Sequence, residues 1–446
     1  MAGMVVIGGG AAGMSAASAA RRVAPERPVI VCEAGEYAAY GMCGIPYYLG
    51  GIVDRAETLL AYPPEVFRDR RGIDLRLGTT VRELDTAARR VTVANDGGAE
   101  TLDYDTLVLA AGADPVVPPI AGIDHPRVFT VRSLASAAKL RTLLDSGSVR
   151  KAIVVGAGYI GLETAEALVA AGAAVRIVEA LPRVLSTVDE PIAEVVDAEV
   201  RRHADLQLGS RLDAILDGAT GPVAVVDGAE FAVDLIVLAV GVRPATGLLA
   251  GAEKLPNGAV VVDEGMRTSL PGVFAAGDCV ALPHLVLGAP AWVPLGPAAN
   301  KTGRVAGTVA AGGRASFRGV VGTAVVKVFD LEVARTGLSL AEATAAGIPA
   351  VATDVESRSR AKYYPGAAPL HVRLVHTPDG RLLGAQLAGR EGAAKRIDVV
   401  ATALHAELSV DDLGALDLAY APPFAPVYDP VLVAAGRANR SEGART

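Results

Sequence analysis

Aromatic residues and cysteines are scarce in this 446-residue chain. Phe, Trp and Tyr make up 4% of it, with a single tryptophan, so Ala, Val, Leu and Ile must fill the interior. That composition suits buried parallel strands flanked by small-residue helices. The three cysteines, Cys32, Cys43 and Cys279, form an odd, sparse set with no metal-ligand spacing. They exclude a disulfide-stapled secreted scaffold, fit a reducing cytoplasm, and leave a chemical role for one or two thiols at most. No uninterrupted apolar run is long enough to span a bilayer. The first twenty residues are apolar and small, but they lack the basic flank of a signal peptide, and their glycines are placed as a nucleotide loop. The net charge of −7 and pI near 5.5 show no basic excess, so neither nucleic acid nor an anionic membrane is an expected partner.

Glycine, by contrast, is abundant, with 50 residues. The length calls for two to four domains. Met4–Ile7 reads as a buried strand, followed by Gly8-Gly9-Gly10-Ala11-Ala12-Gly13, a small-residue helix over 14–23, the strand Val29–Cys32 and then Glu33. This is a strand–GxGxxG–helix–strand–acid unit. Gly8 makes the tight turn, Gly10 admits a pyrophosphate, Gly13 lets helix and strand pack, and Glu33 is placed for ribose hydroxyls. The glycines recur 148 residues later. Strand 152–155 leads into Gly156-Ala157-Gly158-Tyr159-Ile160-Gly161, a helix to Ala170, strand 175–178 and Glu179. An acid at Glu179 accepts from a 2′-hydroxyl and repels a 2′-phosphate, which favours NADH, while Arg183 nearby keeps NADPH possible.

Further buried strands end in small-residue turns, at Ala111-Gly112, at Gly241 and at Gly277-Asp278. Asp278 falls at a strand C-terminus, where open α/β sheets bind ligands. Pro294 opens a helix through Asn300 and Arg304. From about Gly319 no glycine fingerprint appears, and strands and helices alternate as in a separate α+β domain. It runs into Tyr420-Ala421-Pro422-Pro423-Phe424, whose prolines exclude a helix there. The tail 436–446 is small and polar and reads as flexible.

The remaining signal is Tyr40-Gly41-Met42-Cys43-Gly44-Ile45-Pro46-Tyr47-Tyr48, one cysteine between glycines. Two nucleotide sites and one placed thiol suggest electron flow from a nicotinamide through a flavin to sulfur. Cys32 and Cys279, next to or within core strands, read as packing.

Together these residues resemble the flavin- and nicotinamide-dependent disulfide reductase superfamily, over essentially the whole chain. The resemblance implies an α/β fold with two Rossmann-like dinucleotide-binding domains, one for FAD and one for NAD(P)H, plus a C-terminal α+β dimerisation domain. The expected division is 1–113 with 242–318 for FAD, 114–241 for NAD(P)H and 319–435 for dimerisation, and the expected assembly is a homodimer. It implies FAD on Gly8, Gly10, Gly13, Glu33 and Asp278, and nicotinamide on Gly156, Gly158, Gly161 and Glu179. Ala11, Ala12, Ala111, Gly112, Gly277 and Pro294 belong with the first set, Ile160 and Gly241 with the second. Tyr159 would cover the flavin until nicotinamide displaces it, and Glu163 would lie near the nicotinamide. Most superfamily reductases carry two cysteines five apart; here Tyr48 stands five after Cys43. The single-cysteine branch contains coenzyme A-disulfide reductases, persulfide and polysulfide reductases, and NADH oxidases and peroxidases. Ala11 and Ala12 stand where the peroxidases have histidine, which argues against peroxide chemistry. The stretch around Cys43, Tyr363-Tyr364-Pro365-Gly366 and the Tyr420 loop look most like the coenzyme A-disulfide reductases. In that group C-terminal tyrosines reach the partner subunit's cysteine; Tyr420 matches one, and Tyr363 or Tyr364 the other. Arg22 and Arg71 are the candidates to meet coenzyme A phosphates. A thiolate at Cys43, helped by a nearby helix N-terminus and the flavin, is the expected nucleophile. Persulfide or polysulfide reduction and water-forming NADH oxidation are the rival activities.

Overall fold

The computed structural model describes residues 3–219 and 221–443. β1 (Gly3–Ile7) and β2 (Val29–Cys32) are Val/Ile-rich runs that pair in parallel, Met4 opposite Val29 through Ile7 opposite Cys32. Between them α1 (Ala11–Val23) crosses over, burying Ala12, Met14, Ala16, Ala17 and Ala20. The helix starts three residues before the expected Met14, because the second half of the glycine loop is already helical. After β2 the chain leaves the sheet through a 3-10 turn, Met42–Gly44, and the short helix α2 (Ile45–Leu49). β3 (Gly98–Leu109) serves two sheets. Its first half pairs antiparallel with Arg90–Asn95, and its second half runs parallel to β1.

The second unit repeats the first. β4 (Lys151–Val155), α3 (Tyr159–Ala170) and β5 (Ala174–Glu179) form its strand–helix–strand core, and β6 (Leu235–Leu238) lies on the other side of β4. All five strands of this sheet are parallel, and β6 is fully buried. The chain enters this unit through Ala113–Pro115 and leaves through Val242–Pro244, and the two crossing segments pair with each other. It then returns to the first sheet, where β7 (Val273–Ala275) pairs in parallel with β3.

α4 (Gly296–Ala310) packs on α1 at backbone distance. A Cβ on Gly303 would stand 2.2 Å from the Ala12 carbonyl oxygen, and one on Gly307 would stand 1.9 Å from that of Ala16. Only glycine fits at either place.

The C-terminal part is an antiparallel sheet in the order Ala324–Val328, Leu331–Gly337, Leu382–Gly389, Pro369–His376, Val351–Arg358. Leu382–Gly389 is buried throughout, with the helix Ala393–His405 packed on it. Segment 436–443 is no flexible tail: it completes the helix α5 (Pro430–Gly443). Val431, Ala434, Ala435 and Ala438 recur at helical spacing and are fully buried. That stripe outweighs the helix-disfavouring Gly436 that lies between its members. Residues 444–446, the rest of the expected tail, lie outside the described residues.

The buried Asp189 joins the second unit to the C-terminal sheet. Its carboxylate accepts from the Leu340 and Ala341 amides, Gln386 Nε2 and Arg373 Nε. Burial alone would raise this carboxyl; the hydrogen bonds and the Arg373 charge hold it below its ordinary range. Among the described residues no helix is long and apolar enough to cross a membrane.

Gly307→Ala is expected to force α4 off α1 and cost roughly 1–3 kcal/mol, the range for inserting a methyl into a packed site. A thermal-unfolding midpoint equal to that of the unaltered protein would show that the helix pair is not close-packed.

Candidate active site

The two fingerprints are superposable in their chemistry. In the first, a Cβ on Gly13 would meet the Gly8 carbonyl at 1.9 Å; in the second, one on Gly161 would meet that of Gly156 at 2.0 Å. These glycines let helix and strand end touch. A Cβ on Gly10 or Gly158 would meet nothing within 4 Å, so the face needed by a pyrophosphate is open. Neither helix has a side-chain N-cap, which leaves first-turn N–H groups for an anion. Glu33 accepts from Gly9 N (2.6 Å) and Gly35 N (2.7 Å), and Glu179 accepts from Ala157 N (2.7 Å) and Leu181 N (2.8 Å). Each acid is thus fixed by backbone at the end of its second strand, with acceptor capacity left for a hydroxyl. Both cradles fit a dinucleotide.

Around the first cradle, Gly277 bonds through its N–H to Thr302 Oγ1 and lies against Ala12. Asp278 follows, with its carbonyl taken by Trp292 Nε1 (2.7 Å). Its carboxylate has no hydrogen-bond partner among the described residues. Burial raises its pKa, and Arg132 opposes that. An under-satisfied carboxylate at a strand end fits a sugar-alcohol hydroxyl. Ala111 backbone lies against Gly8, where a Cβ would stand 3.2 Å from its Cα, and Gly112 follows it; Pro294 stands two residues before α4. In the second cradle Ile160 is exposed beside Tyr159, and Gly241 lies beyond β6 with open space at its Cβ.

Cys43 sits in the 3-10 turn before α2, exposed and free. Cys32 and Cys279 are buried, and desolvation pushes their thiols up to about 11 and about 12. The expected help for Cys43 from a helix N-terminus is not what its surroundings supply. The adjoining helix has only five residues. Neighbouring protein desolvates the sulfur although the residue surface is open, and this, then the charges of Glu163 and Asp278, raises the thiol pKa. Its own backbone and Arg132 act in the opposite sense. Glu163 itself is raised to about 7, by burial, with the Tyr47 hydroxyl (3.5 Å) opposing and Glu166 adding.

Sequence reasoning missed Arg132 and Tyr47. Arg132 donates to the Ala113 carbonyl (2.6 Å) and to Met42 Sδ (2.7 Å), one residue from Cys43. A Cβ on Gly112 would stand 2.8 Å from its guanidinium. It is the cation that bears on Cys43, Asp278 and Tyr40 alike. It follows the strand Val128–Thr130 in an unremarkable stretch, and no motif marks it. Tyr47 lay in plain view within the cysteine stretch, but its partner Glu163 is in the other fingerprint helix.

Arg22 and Arg71 do come together. With Arg21, Arg70 and Ser18 they line an open cleft of about 570 Å³ in which Asp69 is the sole acid. Arg71 donates to Ser18 Oγ (2.8 Å) and lies over the rings of Tyr62 and Phe67. Residue 62 ends a segment laced to the cysteine stretch, by Ala61 N to Ala39 O and Gly41 N to Leu59 O. The cleft is therefore linked to the cysteine stretch through Tyr62 and this segment.

Among the described residues no hydrogen bond links the C-terminal tyrosines to Cys43 within one chain. Tyr363 and Tyr420 are mutual neighbours, with hydroxyls 3.5 Å apart, whereas Tyr364 turns toward Arg360. Tyr363, Phe424 and Tyr428 are 76%, 79% and 75% exposed, an aromatic face that one chain leaves uncovered. Elsewhere, Glu199, His203 and Asp330 bring ligand-type atoms within 4.8 Å of one another. Arg390 pairs with both carboxylates and Arg202 with Glu199, so protein cations already neutralise that group.

Two dinucleotide cradles with one exposed thiol define a flavin- and nicotinamide-dependent oxidoreductase. The chain belongs to the pyridine nucleotide-disulphide oxidoreductase family, which it matches over residues 3–303, with the family's dimerisation domain over 323–430. FAD and NAD(P)H are its cofactors. It is 40% identical to an NAD(P)H sulfur oxidoreductase (CoA-dependent) of Pyrococcus furiosus, covering 97% of this chain and 98% of the relative. It is 30% identical to a coenzyme A disulfide reductase of Staphylococcus haemolyticus, covering 94% and 96%. The solved structure of an NAD-dependent persulfide reductase from A. fulgidus superposes with a TM-score of 0.95 at 39% identity, covering 99% of this chain and 84% of the other.

Glu163→Gln is expected to speed alkylation of Cys43 by iodoacetamide at neutral pH, and Arg132→Gln to slow it, because thiolate is the reacting form. As pH rises through about 7 and Glu163 ionises, its new charge raises the thiol pKa, so the rate should climb less steeply than in the Gln variant. Identical pH profiles in the two proteins would remove Glu163 from the site.

Proposed function

We propose that the protein reduces coenzyme A disulfide with NAD(P)H through Cys43. The observation that carries this reading is a lone exposed thiol in a stretch that is hydrogen-bonded to the segment leading to Tyr62, the ring under Arg71 of a four-arginine cleft. A single cysteine calls for a substrate that supplies the second sulfur, and the arginines suit a substrate bearing several phosphates. In this reading Gly8, Gly10, Gly13, Glu33, Ala111, Gly112, Gly277, Asp278 and Pro294 serve FAD. Gly156, Gly158, Tyr159, Ile160, Gly161, Glu163, Glu179 and Gly241 serve the nicotinamide. Bound in the first cradle, FAD would supply hydride acceptance from the nicotinamide and an electron pair for sulfur.

Cys43 Sγ attacks one sulfur of the substrate disulfide. A Cys43–S–S–coenzyme A bond forms, the substrate S–S bond breaks, and one coenzyme A thiolate leaves and takes a proton. Tyr363 of the partner subunit and Tyr420 of the partner subunit are the proposed donors; the hydroxyl pairing favours Tyr363 over Tyr364. Reduction of the mixed disulfide by the electron pair returns the Cys43 thiolate and releases the second thiol. The balance is NAD(P)H, one proton and the disulfide to NAD(P)⁺ and two thiols. Arg132 holds the negative charge at Cys43 against Glu163 and Asp278. The exposed aromatic face and the dimerisation-domain match support a homodimer. Three unpaired cysteines suit a reducing compartment such as the cytoplasm.

A second reading uses the same thiol on coenzyme A persulfide or polysulfide. The 40% identity to the CoA-dependent sulfur oxidoreductase, against 30% to the disulfide reductase, favours it.

The test is anaerobic NADH oxidation with coenzyme A disulfide, coenzyme A persulfide or polysulfide, beside an aerobic blank without acceptor. Turnover with the disulfide, abolished in Cys43→Ser, is expected. Arg22→Ala should raise KM for it roughly three- to tenfold with kcat kept, the signature of lost uniform binding. Turnover with the persulfide or polysulfide alone would select the second reading, and turnover in the aerobic blank alone would defeat both. kcat/KM should be higher for NADH than NADPH, and Glu179→Gln should narrow the gap; a gap unchanged by that variant would take Glu179 out of nucleotide selection.

A further inference from the structure

Thr187 has no part in the reading above, yet four structural links converge on its segment. Its hydroxyl donates to the Tyr159 hydroxyl at 3.1 Å. Its carbonyl accepts from Arg335 of the C-terminal sheet, an arginine that also forks onto Glu342 (3.0 and 2.5 Å). Two residues before it, Leu185 is buried in the left-handed region (φ 43°), and its N–H donates to the carbonyl of Ala157 (3.0 Å). Two residues after it, Asp189 is bound by Arg373, Gln386 and the Leu340 and Ala341 amides. Segment 185–189 is thus fastened at one end to the second glycine loop and at the other to the C-terminal sheet. Its middle holds the ring that opens α3. A left-handed leucine persists only where surrounding contacts enforce it, so the fastening is tight.

We propose that Thr187 is a positioning residue for the nicotinamide site: its hydroxyl latches the Tyr159 ring in place, and the C-terminal domain holds the latch through Arg335 and Asp189. The proposal rests on the reading that nicotinamide displaces this ring. Nicotinamide entry then breaks the Thr187–Tyr159 bond, and the latch lowers affinity for the nucleotide. A neutral hydroxyl pair that must part costs a modest factor, roughly three- to tenfold in a dissociation constant. The residue acts through Tyr159 and touches no reacting atom.

The experiment is calorimetric titration of NAD⁺ into the FAD-loaded dimer. Thr187→Val, which keeps the shape and removes the hydroxyl, should tighten binding by that factor. Thr187→Ser should restore the original affinity. Tyr159→Phe should match Thr187→Val, and the double variant should gain nothing more, since one bond is removed by either change. Tyr159→Ala separates the two ideas. Altered NAD⁺ binding in Tyr159→Ala with unchanged or weaker binding in Thr187→Val overturns the latch and leaves the ring's placement standing. Unchanged binding in Tyr159→Ala overturns both.

Discussion

Backbone must touch backbone where this protein handles nucleotides, and that constraint orders the rest of it. At Gly13 over Gly8, and at Gly161 over Gly156, a helix lies so close to a strand end that no Cβ fits. The approach aims first-turn N–H groups at the position of a pyrophosphate and fixes where each following strand ends. Glu33 and Glu179 fall at those ends and are gripped by the same loops. α4 then meets α1 by the same device, through Gly303 and Gly307. A chain poor in aromatics can pack this tightly because small residues let elements close on one another instead of on large side chains.

Around Cys43 the balance is one of desolvation and charge. Desolvation, then two carboxylates, work against a thiolate, and Arg132 is the cation set against them. Arg132 stands at the crossing between the first and second units, bonded to Ala113, and reaches Met42 in the cysteine turn. The crossing is therefore part of the site as well as a connection. Glu163, raised to about 7, stands where its own ionisation alters that balance within the physiological range.

The C-terminal sheet adds a different control. It binds the second unit at Asp189 and, through Lys327 and the Phe329 amide, at Glu166, one turn from Glu163 along α3. Tyr363, Phe424 and Tyr428 of this part stay exposed in one chain.

Local pattern sufficed for the two glycine loops, the acids their amides hold and the strands they join, because each depends on a few adjacent residues with one backbone solution; it also singled out the one thiol of the three that is exposed. Segment 436–443 reads as a tail in sequence because Ala438 is the only apolar residue between Gly436 and Gly443, so the burial of Ala438 in line with Val431, Ala434 and Ala435 decided it. Arg132 beside Met42, Tyr47 against Glu163, Tyr363 rather than Tyr364 beside Tyr420, and the gathering of Arg21, Arg22, Arg70 and Arg71 were all settled by tertiary structure. These pairs lie far apart along the chain or differ only in which side of a loop faces inward. The sequence determined which residues have the chemistry; folding decided which of them share one electrostatic environment, since that depends on distances no linear pattern encodes.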